Sequence, residues 1–247
     1  MSIKPIVFLD LDDTIFQTAR KMESTADATP VTFRANGSPA SWMRPTQRNF
    51  FEWLSHVAEV IPVTGRSLEQ LDRVALSFSS WKVACHGAVI MDAQGIVDAA
   101  WAKEVRQILD PLQGDMEELR EMGESFFASK GIDAFARIER HDGLGLYVVM
   151  KHTAWEKLDE LYLVQECLKA HPRIDKFRIF ANDNNVSVMS AGLDKGKAVR
   201  RILDSVGHAR PILGFGDSVS DFSYLNVCDW WGTPRRSQIA QSIWGQG

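Results

Sequence analysis

Short apolar runs that end in polar residues recur in the first and last quarters of the chain. Residues 6–9 ("IVFL") are followed by "DLDDT", residues 57–63 by "TGR", and residues 212–215 ("ILGF") by "GDSVSD". A continuous apolar run of this kind is typical of a parallel strand that is covered on both faces. Helical patterns follow the second run at 68–78 and precede the third at 195–203. The pattern predicts an α/β fold with a Rossmann-like, doubly wound parallel sheet.

Side chains capable of chemistry stand at the carboxyl ends of these predicted strands. In open α/β sheets the ligand crevice lies at those ends. The residues concerned are Asp10, Asp12, Thr64, Gly65, Arg66, Asp217 and Asp221, whereas Asp13 is expected to be a structural residue that caps the following turn. Lys195 begins the helical pattern that precedes the last strand. Acidic residues after a strand are often only turn or capping residues, so it is the order of the four segments together that indicates a site.

The segment 85–189 has a different pattern and is predicted to form a separate, inserted unit. After a hairpin-like stretch around Ala93 to Gly95, two similar blocks follow, each with a helical stretch and two alternating runs. The blocks comprise 103–130 with 133–140 and 144–151, then 155–170 with 176–182 and 185–190. Their turns are Asp142-Gly143 and Asp183-Asn184, and Asp-Gly between alternating runs is a strong hairpin signal. The insert is therefore predicted to be helix-strand-strand twice over.

The amino-acid composition indicates the class of protein but does not indicate an activity. The chain has 247 residues, of which 45% are hydrophobic and 24% charged, as in ordinary soluble globular proteins. Its net charge of −4 gives no reason to expect a nucleic acid or membrane partner. Three cysteines without metal-ligand spacing suit reduced thiols, and no run of about 18 apolar residues occurs. We expect a cytoplasmic protein that is a monomer or a weak homodimer.

Four of these segments resemble the motifs of the haloacid dehalogenase superfamily of phosphatases. "DLDDT" resembles its first motif, "VTGR" its second, Lys195 of "DKGK" its third, and "GDSVSD" its fourth. The resemblance implies a catalytic core formed by 1–84 and 190–247. It also implies that 85–189 is a substrate-specificity cap, similar to the αββαββ caps of sugar-phosphate phosphatases and phosphomannomutases. Between the first two motifs, the surplus 23–43 contains a possible hairpin around Asn36-Gly37.

The chemistry of phosphate esters assigns a role to each motif. The negative charge of a phosphate monoester repels nucleophiles, so catalysis consists mainly of positioning and charge neutralisation. Asp10 is predicted to attack as a carboxylate nucleophile, and Asp12 to act as general acid and then as general base. Thr64 and Lys195 are expected to hold the phosphoryl oxygens of the transition state.

Clustered carboxylates repel one another unless a cation joins them, and hard oxygen ligands suit Mg²⁺. The predicted ligands are Asp10 through its carboxylate, Asp12 through its backbone carbonyl, and Asp217. Asp221 is expected either to ligate directly or to orient bound water. Candidate substrate-binding residues are Gly65, Arg66, His86, Arg137, Arg140 and Arg178. His86 occupies a position where many relatives have asparagine.

The predicted function is a Mg²⁺-dependent phosphatase that hydrolyses a small phosphorylated metabolite, most simply a sugar phosphate, through an aspartyl-phosphate. A phosphohexomutase would use the same two aspartates but return the phosphoryl group to a second hydroxyl. From a different class, a non-catalytic module that binds a phosphorylated ligand would need none of the catalytic side chains, all of which are present.

Overall fold

The structure is a computed structural model that describes residues 4–154, 157–181, 184–207 and 209–245. By its internal contacts the chain divides into two units. The first unit contains Met1–Ala102 and Asp194–Gly247, and the second contains Lys103–Leu193. The sequence-based boundaries at 85 and 189 differ from this division mainly because residues 85–102 belong with the first unit.

The first unit contains eight strands within the described residues. They are β1 (Ile6–Leu9), β2 (Thr29–Phe33), β3 (Pro39–Met43), β4 (Glu59–Pro62), β5 (Lys82–Ala84), β6 (Val89–Met91), β11 (Ile212–Phe215) and β12 (Trp230–Gly232). Its helices are α1 (Pro45–Val57), α2 (Leu68–Asp72), α7 (Lys195–Val206), α8 (Phe222–Leu225) and α9 (Gln238–Trp244), together with the start of α3 (Ala99–Leu109).

A parallel sheet with the strand order β12-β11-β1-β4 forms the centre of the first unit. All four residues of β1 are at most 1% exposed, so the strand is covered on both faces, as its apolar run predicts. β1 pairs with β11 on one side and β4 on the other, and Leu9 is in register with both Phe215 and Pro62. The carboxyl ends of these strands therefore meet at one edge of the sheet.

Two short hairpins complete the first unit. β2 and β3 pair antiparallel around a turn in which Gly37 has φ +78°, which confirms the hairpin predicted at Asn36-Gly37. β5 and β6 form the second hairpin, and Val83 of β5 makes a parallel bridge with Val63 beside the main sheet. Around Ala93 to Gly95 the predicted hairpin is reduced to a tight turn with a single bridge, Met91 to Val97.

The second unit has an antiparallel sheet with the strand order β7-β8-β10-β9. Its elements are α4 (Gln113–Lys130), β7 (Ala134–His141), β8 (Leu144–His152), α5 (Leu158–Tyr162), α6 (Val164–Leu168), β9 (Phe177–Ala181) and β10 (Val186–Ser190). The predicted helix-strand-strand repeat is confirmed. Asp142 and Gly143 both have positive φ, at 47° and 75°, as the β7–β8 turn requires.

Some predicted boundaries are wrong, and each has a local cause. The strand predicted from Val57 starts at Glu59, because Val57 still belongs to the amphipathic helix α1. The helix predicted over 68–78 ends at Asp72, and the chain beyond it bridges Thr32 of the β2–β3 hairpin through Val74. The helix predicted over 155–170 is two short helices, α5 and α6.

The predicted turn at Asp183-Asn184 falls partly outside the described residues. Among the described helices, none combines the length and the apolarity needed to cross a lipid bilayer.

Candidate active site

The candidate site lies where β1 and β11 end side by side. The Asp10 backbone N–H donates to the Phe215 carbonyl over 2.9 Å, which extends the strand pairing by one residue beyond Leu9. Asp217 follows Phe215 by two residues, so both aspartates leave neighbouring strands at the same edge. The sequence order of strand followed by carboxylate thus produces a spatial cluster.

Three buried carboxylates, which we call the carboxylate cluster, belong to Asp10, Asp217 and Asp221. Each offers an oxygen that lies within 4.8 Å of the others. Lys195, the first residue of α7, places its Nζ 2.7 Å from Asp10 Oδ1 and 2.7 Å from Asp221 Oδ1. Three carboxylates therefore face one ammonium, and the cluster carries an excess of negative charge.

Burial, together with this imbalance of charge, shifts the pKa values in the cluster. Burial raises the pKa of Asp10 to about 7, although the Lys195 ammonium opposes the shift. Burial and the charges of Asp10 and Asp221 raise the pKa of Asp217 to about 9. Burial alone would lower the pKa of Lys195, but its two carboxylate partners outweigh burial and raise it, so Lys195 stays charged.

Asp221 is occupied by partners from the protein itself. Its Oδ1 accepts from Lys195, and its Oδ2 accepts from the Asp217 and Ser218 backbone N–H groups and from the Ser218 hydroxyl at 3.0 to 3.1 Å. The residue is 0% exposed. These bonds hold the turn after β11 and favour an orienting role for Asp221, one of the two alternatives that the sequence left open.

The remaining members of the cluster fit a divalent cation. Asp217 is 7% exposed, and its carboxylate accepts no hydrogen bond from any residue in the described ranges. A buried carboxylate without a donor is unfavourable unless it is protonated or bound to a cation. An all-oxygen donor set of this charge suits Mg²⁺. Asp10 and Asp217 are thus the carboxylates that would hold the ion.

Two threonines follow β1 and β4, and the first of them contacts Asp10. Thr14 donates from Oγ1 to Asp10 Oδ2 over 3.1 Å, so the two Asp10 oxygens are held separately by Thr14 and Lys195. Thr64 is 1% exposed and follows β4, and its Oγ1 accepts from the Arg66 backbone N–H over 3.1 Å. The sequence analysis missed the contact of Thr14 with Asp10, although its place at the end of "DLDDT" was a signal for it.

Asp12 is not part of the carboxylate cluster. Its carboxylate instead forms a bidentate ion pair with Arg66, in which Nε and Nη2 each lie 2.7 Å from one Asp12 oxygen. The Arg66 guanidinium also lies over the ring of Phe16, 5.1 Å from the ring centroid. Arg66 was expected to bind substrate, and the structure places it against the predicted general acid.

His86 lies directly over Gly65. A Cβ added at Gly65 would be 2.3 Å from Cε1 of His86, so only glycine fits beneath this ring. Cys85, His86 and Gly87 all have positive φ, at 52°, 56° and 100°, and two of these residues carry side chains that disfavour this conformation. Burial and the Lys195 ammonium lower the pKa of His86 to about 3, so its imidazole is neutral.

The three predicted substrate-binding arginines of the second unit are exposed strand residues. Arg137 on β7 pairs with Glu139, and Arg140 on the same strand pairs with Glu117 of α4. Arg178 lies on β9. Exposed ion pairs such as those of Arg137 and Arg140 contribute little to stability.

Tyr224 is a further residue that the sequence analysis did not single out. Its hydroxyl donates to the Phe215 carbonyl over 2.6 Å, and the Lys195 Nζ lies 5.9 Å from the centroid of its ring. Burial raises the pKa of Tyr224 well above its ordinary value, so the hydroxyl remains a neutral donor. Tyr224 therefore holds the end of β11 through Phe215 and lies beside Lys195.

No family model and no curated protein matches this sequence. Solved structures do match. The sucrose-phosphatase from Synechocystis in complex with sucrose and phosphate has a TM-score of 0.55 and 15% identity, with 100% of this chain and 90% of that chain covered. The C-terminal domain of trehalose-6-phosphate phosphatase from C. albicans has a TM-score of 0.57 and 14% identity, with 90% and 73% covered. A haloacid dehalogenase-like hydrolase from B. subtilis has a TM-score of 0.50 and 15% identity, with 97% and 92% covered.

The chain has the haloacid dehalogenase-like fold. The similarity extends over at least 90% of the chain in all three comparisons, so it includes the second unit as well as the parallel sheet. The resemblance inferred from the four motifs is thereby confirmed for the fold, as is the predicted α/β architecture. Within the haloacid dehalogenase-like fold, the four motifs of this chain occupy the carboxyl edge of the parallel sheet.

Proposed function

We propose that the protein is a Mg²⁺-dependent phosphoric monoester hydrolase that acts on a small phosphorylated metabolite, specifically a sugar phosphate. The observation that carries the proposal is the buried carboxylate cluster with Lys195 at the carboxyl edge of the sheet. A buried nucleophile, an ammonium and an unpartnered carboxylate are the groups that phosphoryl transfer needs for positioning and charge neutralisation. The similarity of this fold to a sucrose-phosphatase and to a trehalose-6-phosphate phosphatase domain adds support for the substrate class.

In the first step, an oxygen of Asp10 forms a bond to phosphorus while the bond from phosphorus to the leaving oxygen breaks. Asp12 gives its proton to that oxygen, which leaves as an alcohol. In the second step, Asp12 takes a proton from water, whose oxygen attacks phosphorus and breaks the bond to Asp10. Thr64, Gly65 and Lys195 donate hydrogen bonds to the phosphoryl oxygens in both steps.

Asp10 and Asp217 would hold Mg²⁺ with their carboxylates, and Asp12 with its backbone carbonyl. When bound, the ion would neutralise charge on the carboxylates and on the phosphoryl group. Asp221 positions Lys195 and the turn that carries Asp217, as its hydrogen bonds indicate. We assign the catalytic core to the first unit and the substrate-specificity cap to the second, in a cytoplasmic protein without nucleic acid or membrane partners.

The proposal is tested by measuring phosphate release from a panel of phosphorylated metabolites in the presence of Mg²⁺. Asp10→Asn should abolish release from every substrate, because no nucleophile remains. Asp12→Asn should retain slow turnover of p-nitrophenyl phosphate, whose leaving group needs no proton, and lose ~10²-fold or more on alkyl phosphates. A fully active Asp10→Asn variant would place the nucleophile elsewhere and overturn the mechanism.

The same panel separates a phosphatase from a phosphohexomutase and tests the cap. Sugar-phosphate isomer conversion, measured with and without an activating bisphosphate, should be absent while inorganic phosphate accumulates. Replacing Arg137, Arg140 or Arg178 with glutamine should lower kcat/KM for the best metabolite by ~10-fold and leave p-nitrophenyl phosphate nearly unchanged. Equal losses on both substrates would show that these arginines do not select the substrate.

A further inference from the structure

The ion pair between Arg66 and Asp12 joins two residues of the first unit that are 54 positions apart in sequence. Both Asp12 oxygens accept a hydrogen bond from the guanidinium, at 2.7 Å each. The side chain of Asp12 is 49% exposed, whereas that of Arg66 is 15% exposed. A half-exposed carboxylate is thus attached to a well-buried cation.

Two parallel hydrogen bonds fix the plane of a carboxylate as well as its position. Among the residues that the structure describes, Arg66 alone donates hydrogen bonds to the Asp12 side chain. The guanidinium is itself held by Phe16, which is fully buried and packs against its face. Phe16 therefore holds the guanidinium of Arg66 in place, and Arg66 in turn fixes the orientation of the Asp12 carboxylate.

The same geometry argues against a primary role for Arg66 in binding the phosphoryl group. Its Nε and Nη2 form the fork that would grip two phosphoryl oxygens, and both are already engaged by Asp12. Substrate could replace Asp12 on the guanidinium only by leaving the carboxylate of the general acid without its donor.

We propose that Arg66 is a positioning residue that orients the Asp12 carboxylate toward the leaving oxygen, and that it acts on the reaction through Asp12. The inference rests on the proposed function, because it requires Asp12 to be the general acid and base. It changes the role that the sequence suggested for Arg66 from substrate binding to the alignment of proton transfer. Misalignment by as little as an ångström lowers the rate of such a step strongly.

The consequence is a dependence on the leaving group. Alkyl phosphates need a proton on the departing oxygen, whereas p-nitrophenyl phosphate does not. Arg66→Gln should therefore lower kcat for an alkyl phosphate by ~10- to 100-fold, within the ~10²–10⁴-fold that a positioned acid contributes. With p-nitrophenyl phosphate, the rate of p-nitrophenol release in a single turnover should change by less than ~3-fold, because this first step needs no proton from Asp12, and KM should change little for either substrate.

Arg66→Lys provides a second variant, since it keeps the positive charge but cannot form the bidentate pair. It should also lose activity selectively on alkyl phosphates. Arg73→Gln is the matched control, because Arg73 is an arginine of the neighbouring segment that pairs with Glu69 and the Phe33 carbonyl, away from Asp12. Thermal unfolding of each variant identifies any general loss of fold.

The decisive measurement is a double-mutant cycle in which kcat for an alkyl phosphate is compared for wild type, Arg66→Gln, Asp12→Asn and the double variant. If Arg66 acts through Asp12, its replacement should cause no further loss once Asp12 is asparagine. Additive losses, or an equal rise in KM for both substrates, would show that Arg66 binds the phosphoryl group and would overturn the inference while leaving the phosphatase intact. Failure of the wild type to release phosphate from any monoester would overturn both.

Discussion

At the scale of single residues, one buried ammonium forms ion pairs with two buried carboxylates. Lys195 contacts Asp10 and Asp221 at 2.7 Å each, and its side chain is 7% exposed. Removal of one partner from a buried ion pair leaves the other charge without compensation, which typically costs ~3–5 kcal/mol. Replacement of Lys195, which is proposed to hold the phosphoryl group, should therefore destabilise the fold as well as impair activity.

We predict that Lys195→Met lowers the free energy of unfolding by about 3 kcal/mol and abolishes phosphate release. Urea denaturation at neutral pH measures the first effect. Lys197→Met is the matched control, since Lys197 lies two residues further along α7 and outside the proposed machinery. If the Lys195→Met protein were as stable as the wild type, the ion pairs of Lys195 with Asp10 and Asp221 could not be important for the fold.

His86 provides a prediction about pH. Its pKa is lowered from 6.5 to about 3 in the folded protein, so below pH 6.5 the unfolded chain binds a proton that the folded protein does not. The contribution of neutral His86 is fully present above pH 6.5 and declines as the pH falls toward 3. The free energy of unfolding should therefore decrease on acidification through this group.

His86→Asn should remove this part of the acid sensitivity, because asparagine cannot titrate and tolerates the positive φ of residue 86. Between pH 7 and pH 5 the wild type should lose ~2 kcal/mol more of its unfolding free energy than the variant. Denaturation curves at the two pH values measure the difference. Parallel losses in both proteins would show that His86 takes up its proton at an ordinary pH.

At the scale of secondary structure, the elements that carry the motifs were predictable and several others were not. β1 and β11 were predicted to the residue, because each is a short apolar run that begins after a proline and is followed directly by a turn or polar residue. The helix predicted over 68–78 stops after five residues, since Val74 pairs with Thr32 of a hairpin far earlier in the chain. A contact of this kind leaves no periodic trace in the local sequence.

The side-chain pairings of the site show the same limit. The cluster of Asp10 with Asp217 was predictable because parallel strands end at a common edge. The pairing of Asp12 with Arg66, and that of Asp221 with the turn after β11, depend on rotamers that only the packed structure decides. The sequence therefore predicted which residues belong to the site more completely than it predicted which of their side chains pair with one another.

The start of α7 packs unusually close to the segment that follows β11. A Cβ added at Gly196 would lie 1.9 Å from the Ser223 carbonyl oxygen, so the contact tolerates only glycine. This close approach sets the position of the neighbouring Lys195 against Asp221. Gly114, also the second residue of its helix, has no atom within 4 Å of such a Cβ.

We predict opposite effects of alanine at these two glycines. Gly196→Ala should lower the unfolding free energy by about 1–3 kcal/mol through overpacking against backbone, and reduce kcat by displacing Lys195. Gly114→Ala should raise the unfolding free energy by about 0.5–1 kcal/mol, because alanine favours the helix more than glycine does. Thermal or urea denaturation of the pair provides the comparison, and equal shifts would contradict the close packing of α7.

At the scale of the whole molecule, the helix-strand-strand repeat and the parallel sheet together match solved structures over nearly the entire chain, although identity is only 14 to 15% in those compared. A similar fold is thus formed by sequences of which only 14 to 15% of residues are identical, because it depends on the pattern of apolar and polar positions. The substrate is decided by individual side chains, and for this reason the metabolite panel is needed beside the structure.

The proposed phosphatase activity depends on a divalent cation at the carboxylate cluster. The most direct test measures phosphate release and thermal unfolding after treatment with EDTA and then with increasing Mg²⁺, for wild type, Asp217→Asn and the exposed Asp204→Asn as control. If the cluster binds Mg²⁺, turnover should be absent in EDTA and return with Mg²⁺, and Tm should rise on Mg²⁺ binding, in the wild type and the control but not in Asp217→Asn. Full turnover by the metal-free wild type would contradict this dependence on the cation.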